Sequence, residues 1–433
     1  MPRLTPLRDV PDDRIVFDSD RPGAALLEGW SDGGAWRVLL PWPEETRSVS
    51  WEDARSWSRV VEELERDVAI VDDAPIDAPF LGGWVGFVTY EAAATIEDVN
   101  ARDVHPPEGA LFFAKHSAGI VIDPAGRAFG FGDGVWSGGP WPAEGRPSEA
   151  RRVKTRRSTD RRGLRDSLGD GKHREAVERI RNAILDGDVY QVNLTRAFSV
   201  DCACDAGELY RSLVGWPPPR MSAFLRTPEC AIASASPEVL LRFDRVNGVA
   251  ETRPIKGTVK REGDDAREIA SLLASEKDAA EHLMIVDVSR NDLGKIAPAG
   301  EVSVTDYRRV RTLEHVHHLE STVTATGLCD RSAAEVLAAL SPAASITGAP
   351  KRAAVQMIRD LEPEPRGVYC GSIGIIGHRF VDWSVAIRTA IATRDSVRYH
   401  AGGGIVWDSD ADAENEETLA KSAAFLRFAG VSR

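Results

Sequence analysis

The chain has 433 residues, of which 42% are hydrophobic and 28% are charged. These are the proportions of a globular protein, and they exclude a disordered or membrane-embedded chain. Asp and Glu outnumber Lys and Arg by 67 to 54, and the net charge of −13 would repel a nucleic-acid backbone, so we expect no nucleic-acid partner. An acidic protein that handles an anionic substrate needs a local positive group, either a basic pocket or a bound divalent cation.

The five cysteines show no metal-binding spacing, and an odd number is poor material for a set of disulfides. This number and spacing of cysteines are typical of a protein in a reducing cytoplasm. The N-terminal sequence contains no apolar core of a signal peptide, and no stretch approaches the roughly 18 apolar residues of a membrane span. We therefore expect a cytoplasmic protein that does not bind a membrane.

Composition divides the chain into three parts. Residues 1–135 alternate short apolar runs with turns, as in GAALLEGW and FLGGWVGFVTYE, which predicts strands and few long helices. Residues 136–171 are rich in Gly, Pro, Ser and Arg, which predicts a linker or a long surface loop. The basic run in this segment could also be a nucleic-acid tail, but the acidic remainder of the chain favours a solvated tether. Residues 172–433 show ordered patterns again.

The third part opens with a predicted helix, because apolar residues recur at positions 176, 180, 183 and 184. A turn over 186–188 precedes a predicted strand, VYQVNLTRAF. Alternation places its residues on two faces, one with Tyr190, Val192 and Leu194 and the other with Gln191, Asn193 and Thr195. A polar face on so apolar a strand could line a site.

Lys256 lies between a proline and a glycine in ETRPIKGTVK, where we expect a loop. Such a loop could hold the lysine in a cleft. A lone lysine in this kind of segment is, however, ordinarily a surface residue.

Two acidic pairs are predicted on helices. Asp278 and Glu281 are three residues apart in SEKDAAEHLMIVD, and Glu414 and Glu417 are three apart in DADAENEETLAKSAAFL, where Lys421 completes the face. Two such faces, if brought together, would form an all-oxygen site suited to Mg²⁺. The alternative for either pair is a solvated helix face with an ordinary surface ion pair.

Histidines and glycines cluster in three further segments. In EHVHHLES, His317 faces away from His318 on a strand, so the cluster is a poor zinc site, and either a general base or a structural histidine is expected. The glycine-rich segments ITGAPK (346–351) and AGGGIV (401–406) are predicted turns whose amides could bind a carboxylate or phosphate, with Lys351 adding positive charge. Plain tight turns are the alternative.

Read together, these segments resemble the chorismate-utilising enzymes, and specifically the large subunits of anthranilate synthase and aminodeoxychorismate synthase. Nine blocks carry the resemblance in one order along the chain: GDVYQVNL, SASPEVLLRF, TRPIKGT, AEHLMIVDVSRNDLGK, VHHLESTV, SITGAPKRA, VYCGSIG, IRTA and AGGGIVWDSD. The resemblance implies an α+β fold of two large antiparallel β-sheets packed as a sandwich and flanked by helices, with the active site between the sheets. It makes residues 1–135 the part that contains a tryptophan pocket in relatives, and residues 172–433 the chorismate-binding catalytic region.

The resemblance also assigns roles to the candidate residues. Glu281 and Glu417 would bind Mg²⁺ directly, whereas Asp278 and Glu414 would bind it through water. The metal would in turn bind the ring carboxylate of the substrate. The other carboxylate of chorismate would be held by Tyr369, Arg388 and the amides of Gly402, Gly403 and Gly404, with Ser345 and Lys421 close by. His318 would lie near the leaving group, and Glu238 would be the general acid for the departing hydroxyl.

Two positions indicate which reaction the chain performs. Isochorismate and salicylate synthases carry a lysine where this chain has Gln191, so Gln191 favours an amine nucleophile over water. Anthranilate synthases read PIAGT where this chain reads PIKGT, and a lysine at the place of Lys256 is associated with aminodeoxychorismate synthase. The implied reaction attaches Lys256 to C2 of chorismate, after which ammonia attacks C4 and expels the lysine.

No G-x-C-x-G elbow is present to carry a glutaminase cysteine, so ammonia would come from a separate glutamine amidotransferase subunit. Two other functions stay open from the sequence. One is the large subunit of anthranilate synthase, and the other is a non-catalytic module that binds chorismate or tryptophan for regulation. The second alternative predicts that catalytic residues have been replaced. This chain retains them, which weighs against that alternative: Lys256, Glu238, His318 and the four acidic positions.

Overall fold

The structure is a computed structural model that describes residues 4–7, 10–30, 36–71, 76, 78–99, 105–132, 163–314 and 316–430. Most of the linker predicted over 136–171 therefore lies outside the described residues. Its last nine residues, 163–171, already contain a short strand and the start of a helix at Gly169. Regular structure thus begins before the boundary that composition placed at residue 172.

The N-terminal part consists mainly of strands, as its sequence predicts. The longest of its helices among the described residues has 10 residues. The strands are β1 (Leu4–Pro6), β2 (Ala25–Glu28), β3 (Arg37–Leu40), β4 (Glu45–Val49), β5 (Gly83–Val88), β6 (Leu111–His116), β7 (Gly119–Ile122) and β8 (Ala128–Phe131), and the helices are α1 (Arg14–Phe17), α2 (Trp57–Arg66) and α3 (Tyr90–Ala94).

The part after residue 163 mixes longer strands with helices, and the helix predicted around 176–184 lies within α4. The strands are β9 (Arg165–Asp166), β10 (Gln191–Asp201), β11 (Ser222–Arg226), β12 (Ala231–Ala235), β13 (Val239–Asp244), β14 (Val249–Arg253), β15 (Ile255–Lys260), β16 (Val302–Thr312), β17 (Val316–Ala325), β18 (Gly348–Ala349), β19 (Ser372–Gly377), β20 (Phe380–Val385), β21 (Thr389–Ala392) and β22 (Ser396–Ile405). The helices are α4 (Gly169–Leu185), α5 (Ala206–Val214), α6 (Asp265–Ala274), α7 (Glu276–Gly294), α8 (Ala333–Leu340), α9 (Lys351–Leu361), α10 (Ala411–Lys421) and α11 (Ala423–Phe428).

These strands form two antiparallel sheets. The larger sheet has 12 strands in the order β1-β8-β7-β3-β2-β11-β12-β21-β22-β10-β18, with β9 beside β10. The smaller sheet has 10 strands in the order β15-β17-β14-β13-β20-β19-β5-β6-β4, with β16 beside β17. Each sheet combines strands from the N-terminal part with strands from the part after residue 163.

Strand β2 shows how the sheets pack. Its alternate residues Ala25 and Leu27 share an apolar core with Val85 and Phe87 of the smaller sheet. Leu26 points the other way, into a second core that α1 and α5 help to form. The sequence of a strand that is buried on both faces is a continuous apolar run. Each fully buried aliphatic side chain stabilises the fold by about 1.5–3 kcal/mol. The predicted sandwich of two large sheets flanked by helices is confirmed.

The two acidic helices begin at side-chain caps. The side chain of Ser275 accepts a hydrogen bond from the amide of Asp278 at the start of α7, and that of Asp410 accepts from the amides of Asp412 and Ala413 at the start of α10. Each cap contributes about 1 kcal/mol to its helix. The caps fix the first turns, and the second acidic residue of each pair follows at i+3 on the same face, as predicted.

The predictions for Lys256 and Tyr190 were wrong. Lys256 lies within strand β15 and not in a loop, at an irregularity in the β15–β17 register between Ile255 and Thr258. Tyr190 precedes strand β10 and is 67% exposed, whereas Val192 joins the apolar core.

Among the described residues, none of the helices has both the length and the hydropathy required to cross a bilayer.

Candidate active site

The two sheets meet at a row of glycines in β22. A Cβ atom on Gly404 would lie 2.8 Å from the Nζ of Lys256, on the smaller sheet, and 2.9 Å from the Nε2 of Gln191, on the larger sheet. A side chain at this position would displace the flexible ends of both Lys256 and Gln191. The structure therefore brings together the two residues that the sequence comparison used to distinguish the reactions.

The first five residues of AGGGIV belong to strand β22 and not to the predicted turn. A Cβ on Gly402 would overlap the carbonyl oxygen of Leu194 on the neighbouring strand β10. A Cβ on Gly403 would lie 3.1 Å from the Oε2 of Glu414 and 3.7 Å from the Oε1 of Glu417. The glycines thus allow β22 to approach both β10 and the acidic face of α10.

The other glycine-rich segment, ITGAPK, contributes its charge elsewhere. Its lysine, Lys351, is buried, and its Nζ lies 2.7 Å from the Oδ2 of Asp292 on α7. This ammonium group is therefore used within the fold and does not provide the free positive charge that the sequence suggested.

Lysine ammonium groups lie among the predicted metal ligands. The Nζ of Lys256 is 2.6 Å from the Oε2 of Glu281, and the Nζ of Lys421 is 2.6 Å from the Oε1 of Glu417. The Nζ of Lys277 is 3.9 Å from one oxygen of Glu281 and 3.9 Å from one oxygen of Glu414. The acidic faces of α7 and α10 are therefore close enough to share a single cation.

The donor set fits Mg²⁺ in its chemistry, because all of the candidate ligands are carboxylate oxygens. In the described part of the chain, however, no three of these carboxylates have oxygens within 4.8 Å of one another. Asp278 is close to Gly257, where a Cβ would lie 3.4 Å from its Oδ1, and makes no ion pair with Lys256, Lys277 or Lys421 among the described residues. Glu281, Glu414 and Glu417 are the side chains best placed to hold a metal ion.

The two glutamates of α10 differ in their electrostatics. Burial raises the pKa of Glu414, although the Ser409 hydroxyl donates a 2.7 Å hydrogen bond to its carboxylate. Desolvation would also raise the pKa of Glu417, but the adjacent Lys421 ammonium outweighs this effect and holds that pKa below its ordinary value. Glu417 is thus the more readily ionised carboxyl group of the pair.

Glu238 is a buried acid with a perturbed pKa. Burial raises the pKa of its carboxyl to about 7, against the opposing effect of a 2.6 Å hydrogen bond that the hydroxyl of Ser345 donates to its Oε1. The carboxylate of Glu320 raises the pKa further, whereas the ammonium of Lys256 lowers it. A carboxyl that is partly protonated near neutral pH can act as a general acid, which is the predicted role.

Gln191 and His318 both carry buried polar atoms that have no hydrogen-bond partner among the described residues. Neither side-chain atom of the Gln191 amide forms a hydrogen bond within the described residues. The Nδ1 of His318 forms a 2.8 Å hydrogen bond with the Thr258 hydroxyl, while its buried Nε2 forms none with the part of the chain that the structure describes. Burial lowers the pKa of His318 to about 4, so the ring is neutral at physiological pH. Unsatisfied buried polar atoms are rare in folded proteins and commonly face a ligand.

Tyr369 lies in the turn before strand β19, and Arg388 lies in the connection between β20 and β21. The ring of Tyr369 stacks on that of His400 at 5.1 Å, two residues before the glycine row, and burial raises its pKa well above the ordinary value. Arg388 has a positive φ of 51° and lies close enough to His318 to lower that ring's pKa. Neither side chain forms a hydrogen bond or ion pair with Lys256 in the described residues, so the structure does not join them to the lysine directly.

His282 is a site residue that the sequence analysis missed. Its Nδ1 lies 3.0 Å from the carbonyl oxygen of Lys256, and its Nε2 lies 2.6 Å from the hydroxyl of Ser321. The ring therefore joins α7 to β15 at the lysine itself and to β17. The only sequence signal was its place directly after Glu281 in AEHLMIVD, because its partners are distant in the chain.

Comparison with known proteins identifies the family of the chain. A model of the chorismate binding enzyme family matches residues 29–427. Aminodeoxychorismate synthase component 1 of Klebsiella aerogenes is 36% identical over 353 residues, which cover 79% of this chain and 76% of that protein. Anthranilate synthase component 1 of Streptomyces coelicolor is also 36% identical, over 391 residues that cover 84% of this chain and 75% of that protein.

Solved structures share the fold. Anthranilate synthase component I from Streptococcus pneumoniae superposes with a TM-score of 0.71 at 26% identity, covering 98% of this chain and 92% of that chain. The menaquinone-specific isochorismate synthase of Escherichia coli has a TM-score of 0.71 at 19% identity, covering 99% and 94%, and this likeness concerns the fold alone. The family match spans most of the sequence, and the chain therefore belongs to the chorismate-binding enzymes.

Proposed function

We propose that this chorismate-utilising enzyme is the large subunit of an aminodeoxychorismate synthase, which converts chorismate and ammonia to 4-amino-4-deoxychorismate. The observation that carries the proposal is the position of Lys256, whose Nζ lies 2.6 Å from Glu281 and next to the space left by Gly404. One relative named for each synthase is 36% identical to this chain, so the choice between these two reactions rests on Lys256, whereas Gln191 favours an amine nucleophile over water.

In the proposed reaction, the neutral amine of Lys256 attacks C2 of chorismate. The C2–N bond forms, both ring double bonds shift by one position, and the bond from C4 to the hydroxyl breaks, with Glu238 giving its proton so that water leaves. Ammonia then attacks C4, both double bonds shift back, the C2–N bond to Lys256 breaks, and the proton that ammonia loses restores the acid form of Glu238. The sum is chorismate plus ammonia giving aminodeoxychorismate plus water.

Two carboxyl groups support the proton transfers. Lys256 can attack only as a free amine, and the carboxylate of Glu281, 2.6 Å away, is placed to take its proton. Glu238, with a pKa raised to about 7, keeps a proton to give near neutral pH. The unpaired amide of Gln191 offers hydrogen bonds to the substrate, and no lysine stands there to activate water as a competing nucleophile.

We propose Mg²⁺ as the cofactor. Glu281 and Glu417 would bind it directly, and Asp278 and Glu414 would act through water. When bound, the ion supplies positive charge for the ring carboxylate of chorismate. The enolpyruvyl carboxylate would lie against the amides of Gly402, Gly403 and Gly404, with Tyr369, Arg388, Ser345 and Lys421 nearby. His318, neutral because its pKa is about 4, would act as a hydrogen-bonding group near the departing hydroxyl.

We propose that a separate glutamine amidotransferase subunit supplies the ammonia. Burial raises the pKa of Cys370, in the site-lining segment VYCGSIG, to about 12, and that of Cys230 likewise to about 12. Such thiols stay protonated and are poor nucleophiles, so neither suits the attack on glutamine that a glutaminase requires.

The experiment that tests the proposal incubates the purified chain with chorismate, Mg²⁺ and an ammonium salt and identifies the product by mass spectrometry. Aminodeoxychorismate is the expected product. Anthranilate, which is fluorescent, would instead support the second candidate, the large subunit of anthranilate synthase, which the Streptomyces coelicolor relative favours. No turnover by a folded protein would leave a chorismate-binding module as the better description.

A further inference from the structure

A second group of metal-ligand side chains lies where the first turn of α6 packs against β17. The Oδ1 of Asp265 is 3.5 Å and the Oε2 of Glu268 is 3.4 Å from the Nε2 of His317. All three ligand atoms lie within 4.8 Å of one another. Asp265 and Glu268 share a helix face at i and i+3, so the helix presents both carboxylates to the strand.

The buried histidine points an unpaired nitrogen into this group. The side chain of His317 is 0% exposed, and its Nδ1 lies 2.9 Å from the hydroxyl of Thr312. Its Nε2 has no hydrogen-bond partner among the described residues, and neither has the Oε2 of Glu268. A hydrogen bond from Nδ1 to Thr312 would leave a lone pair on Nε2, facing two acceptor oxygens. That arrangement requires a proton or a cation between them.

Other contacts fix each carboxylate. The Oε1 of Glu268 accepts hydrogen bonds of 2.8 Å from the amide of Glu262 and 3.3 Å from the amide of Asp264, which leaves Oε2 for His317. The Asp265 carboxylate is held by Arg261 at 2.7 and 2.9 Å. The guanidinium neutralises one of the two negative charges, so the group keeps a net negative charge that favours a cation.

The distances match those between ligands of one metal ion. Ligands about 2.1 Å from a tetrahedral zinc ion lie about 3.4 Å apart. The two N···O distances at His317, 3.5 and 3.4 Å, have this length and are long for hydrogen bonds. One imidazole with two carboxylates suits a first-row transition metal better than Mg²⁺ or Ca²⁺, which prefer oxygen alone.

We propose that Asp265, Glu268 and His317 form a binding site for a divalent transition metal, with Zn²⁺ as its test ion, separate from the carboxylates around Lys256. A fourth position would be left for water, as in other three-ligand zinc sites. The ion would join α6 to β17 at the residue next to His318. It would therefore stabilise the strand that carries His318.

The experiment titrates the full chain with Zn²⁺ by calorimetry, after removal of metal by a chelator and in the presence of excess Mg²⁺. The wild-type chain should bind one Zn²⁺, and His317→Gln and Glu268→Gln should each weaken binding by roughly tenfold or more. Glu268→Gln keeps an oxygen for the Glu262 amide, so it tests the site even if His317→Gln fails to fold. X-ray absorption of the zinc-loaded chain should show one imidazole ligand.

Two matched variants separate this site from others. His105→Gln changes an exposed histidine that stacks on Trp51, and it should bind Zn²⁺ as the wild type does. Glu281→Gln should also keep the site, because Glu281 belongs to the carboxylates near Lys256. The proposal is overturned if the wild type shows no saturable binding, which would leave a protonated His317 in an ion pair with both acids. It is equally overturned if Glu268→Gln binds as tightly as the wild type, or if Glu281→Gln abolishes binding.

Discussion

The Nζ of Lys256 lies 2.6 Å from the Oε2 of Glu281, and the two residues come from different elements, β15 and α7. His282, the next residue on α7, holds the backbone carbonyl of Lys256. The proposed nucleophile is therefore fixed through both its side chain and its main chain by one turn of a single helix. This relationship makes Glu281 the first residue to test.

Glu281→Gln should lower activity by roughly 10- to 100-fold, because it removes a proposed metal ligand and the charged partner of Lys256. The variant should also need more Mg²⁺ for half-maximal activity. Product formation across a Mg²⁺ titration measures both effects. Glu276→Gln, an exposed position at the start of the same helix, is the control and should behave as the wild type. Equal Mg²⁺ dependence in both variants would remove Glu281 from the metal site.

The acidic faces could be predicted from the sequence because helical periodicity is local. Asp278 with Glu281, and Glu414 with Glu417, lie one turn apart whatever the rest of the fold does. The fold and the roles of the site residues came from the resemblance, since the sandwich depends on pairings such as β2 with β11 that join distant segments. Periodicity alone could not have placed them.

The wrong predictions for Lys256 and for the glycines of AGGGIV have a common physical cause. Lys256 was expected in a loop because Pro254 and Gly257 flank it, yet pairing with β17 draws this segment into a strand. The glycines of AGGGIV were expected in a turn, but ten consecutive pairs between β10 and β22 hold them extended. In both cases tertiary pairing overrode a local turn signal. The group of Asp265, Glu268 and His317 was missed because its parts are far apart in the chain.

The raised pKa of Glu238 predicts the pH dependence of the proposed general-acid step. A carboxyl with a pKa of about 7 is protonated below that pH and ionised above it, so kcat should fall on the alkaline side with an apparent pKa near 7. Rates should be measured at a constant concentration of free ammonia, because ammonium also loses its proton as pH rises. Glu238→Gln should lower kcat by about 10²- to 10⁴-fold. It should also abolish the fall of kcat at alkaline pH, the alkaline limb of the pH profile.

Ser345→Ala provides a directional control for the same group. The Ser345 hydroxyl stabilises the ionised form of Glu238 by donating a hydrogen bond, so its removal should raise the pKa of Glu238 and shift the alkaline limb to higher pH. A limb that stays in place in Ser345→Ala would assign it to another group.

The glycine row predicts two different outcomes for the same kind of substitution. Gly404→Ala places a Cβ near the flexible ends of Lys256 and Gln191, so the protein should fold but lose most activity. Gly402→Ala places a Cβ against the backbone of β10, and this overpacking should cost about 1–3 kcal/mol of stability. Thermal unfolding and product formation measure both effects. Gly171→Ala, where a Cβ meets nothing within 4 Å, is the control and should keep wild-type activity.

The last prediction concerns covalent attachment at Lys256. With chorismate and Mg²⁺ but no ammonia, the adduct should accumulate, because nothing displaces the lysine from C2. Digestion and mass spectrometry should find chorismate less one water on the peptide that contains Lys256 and on no other lysine. Lys256→Arg should form no adduct and lose activity, since a guanidinium stays protonated and is not nucleophilic.

Lys260→Arg is the matched control for this experiment, because Lys260 lies on the same strand with its side chain 77% exposed. This variant should form the adduct on Lys256 as the wild type does. Lys256 could instead serve only as a positive charge for a substrate carboxylate, and Lys256→Arg would then retain most activity. An active Lys256→Arg variant, together with no adduct in the wild type, would favour direct attack of ammonia on chorismate and reduce Lys256 to a binding residue.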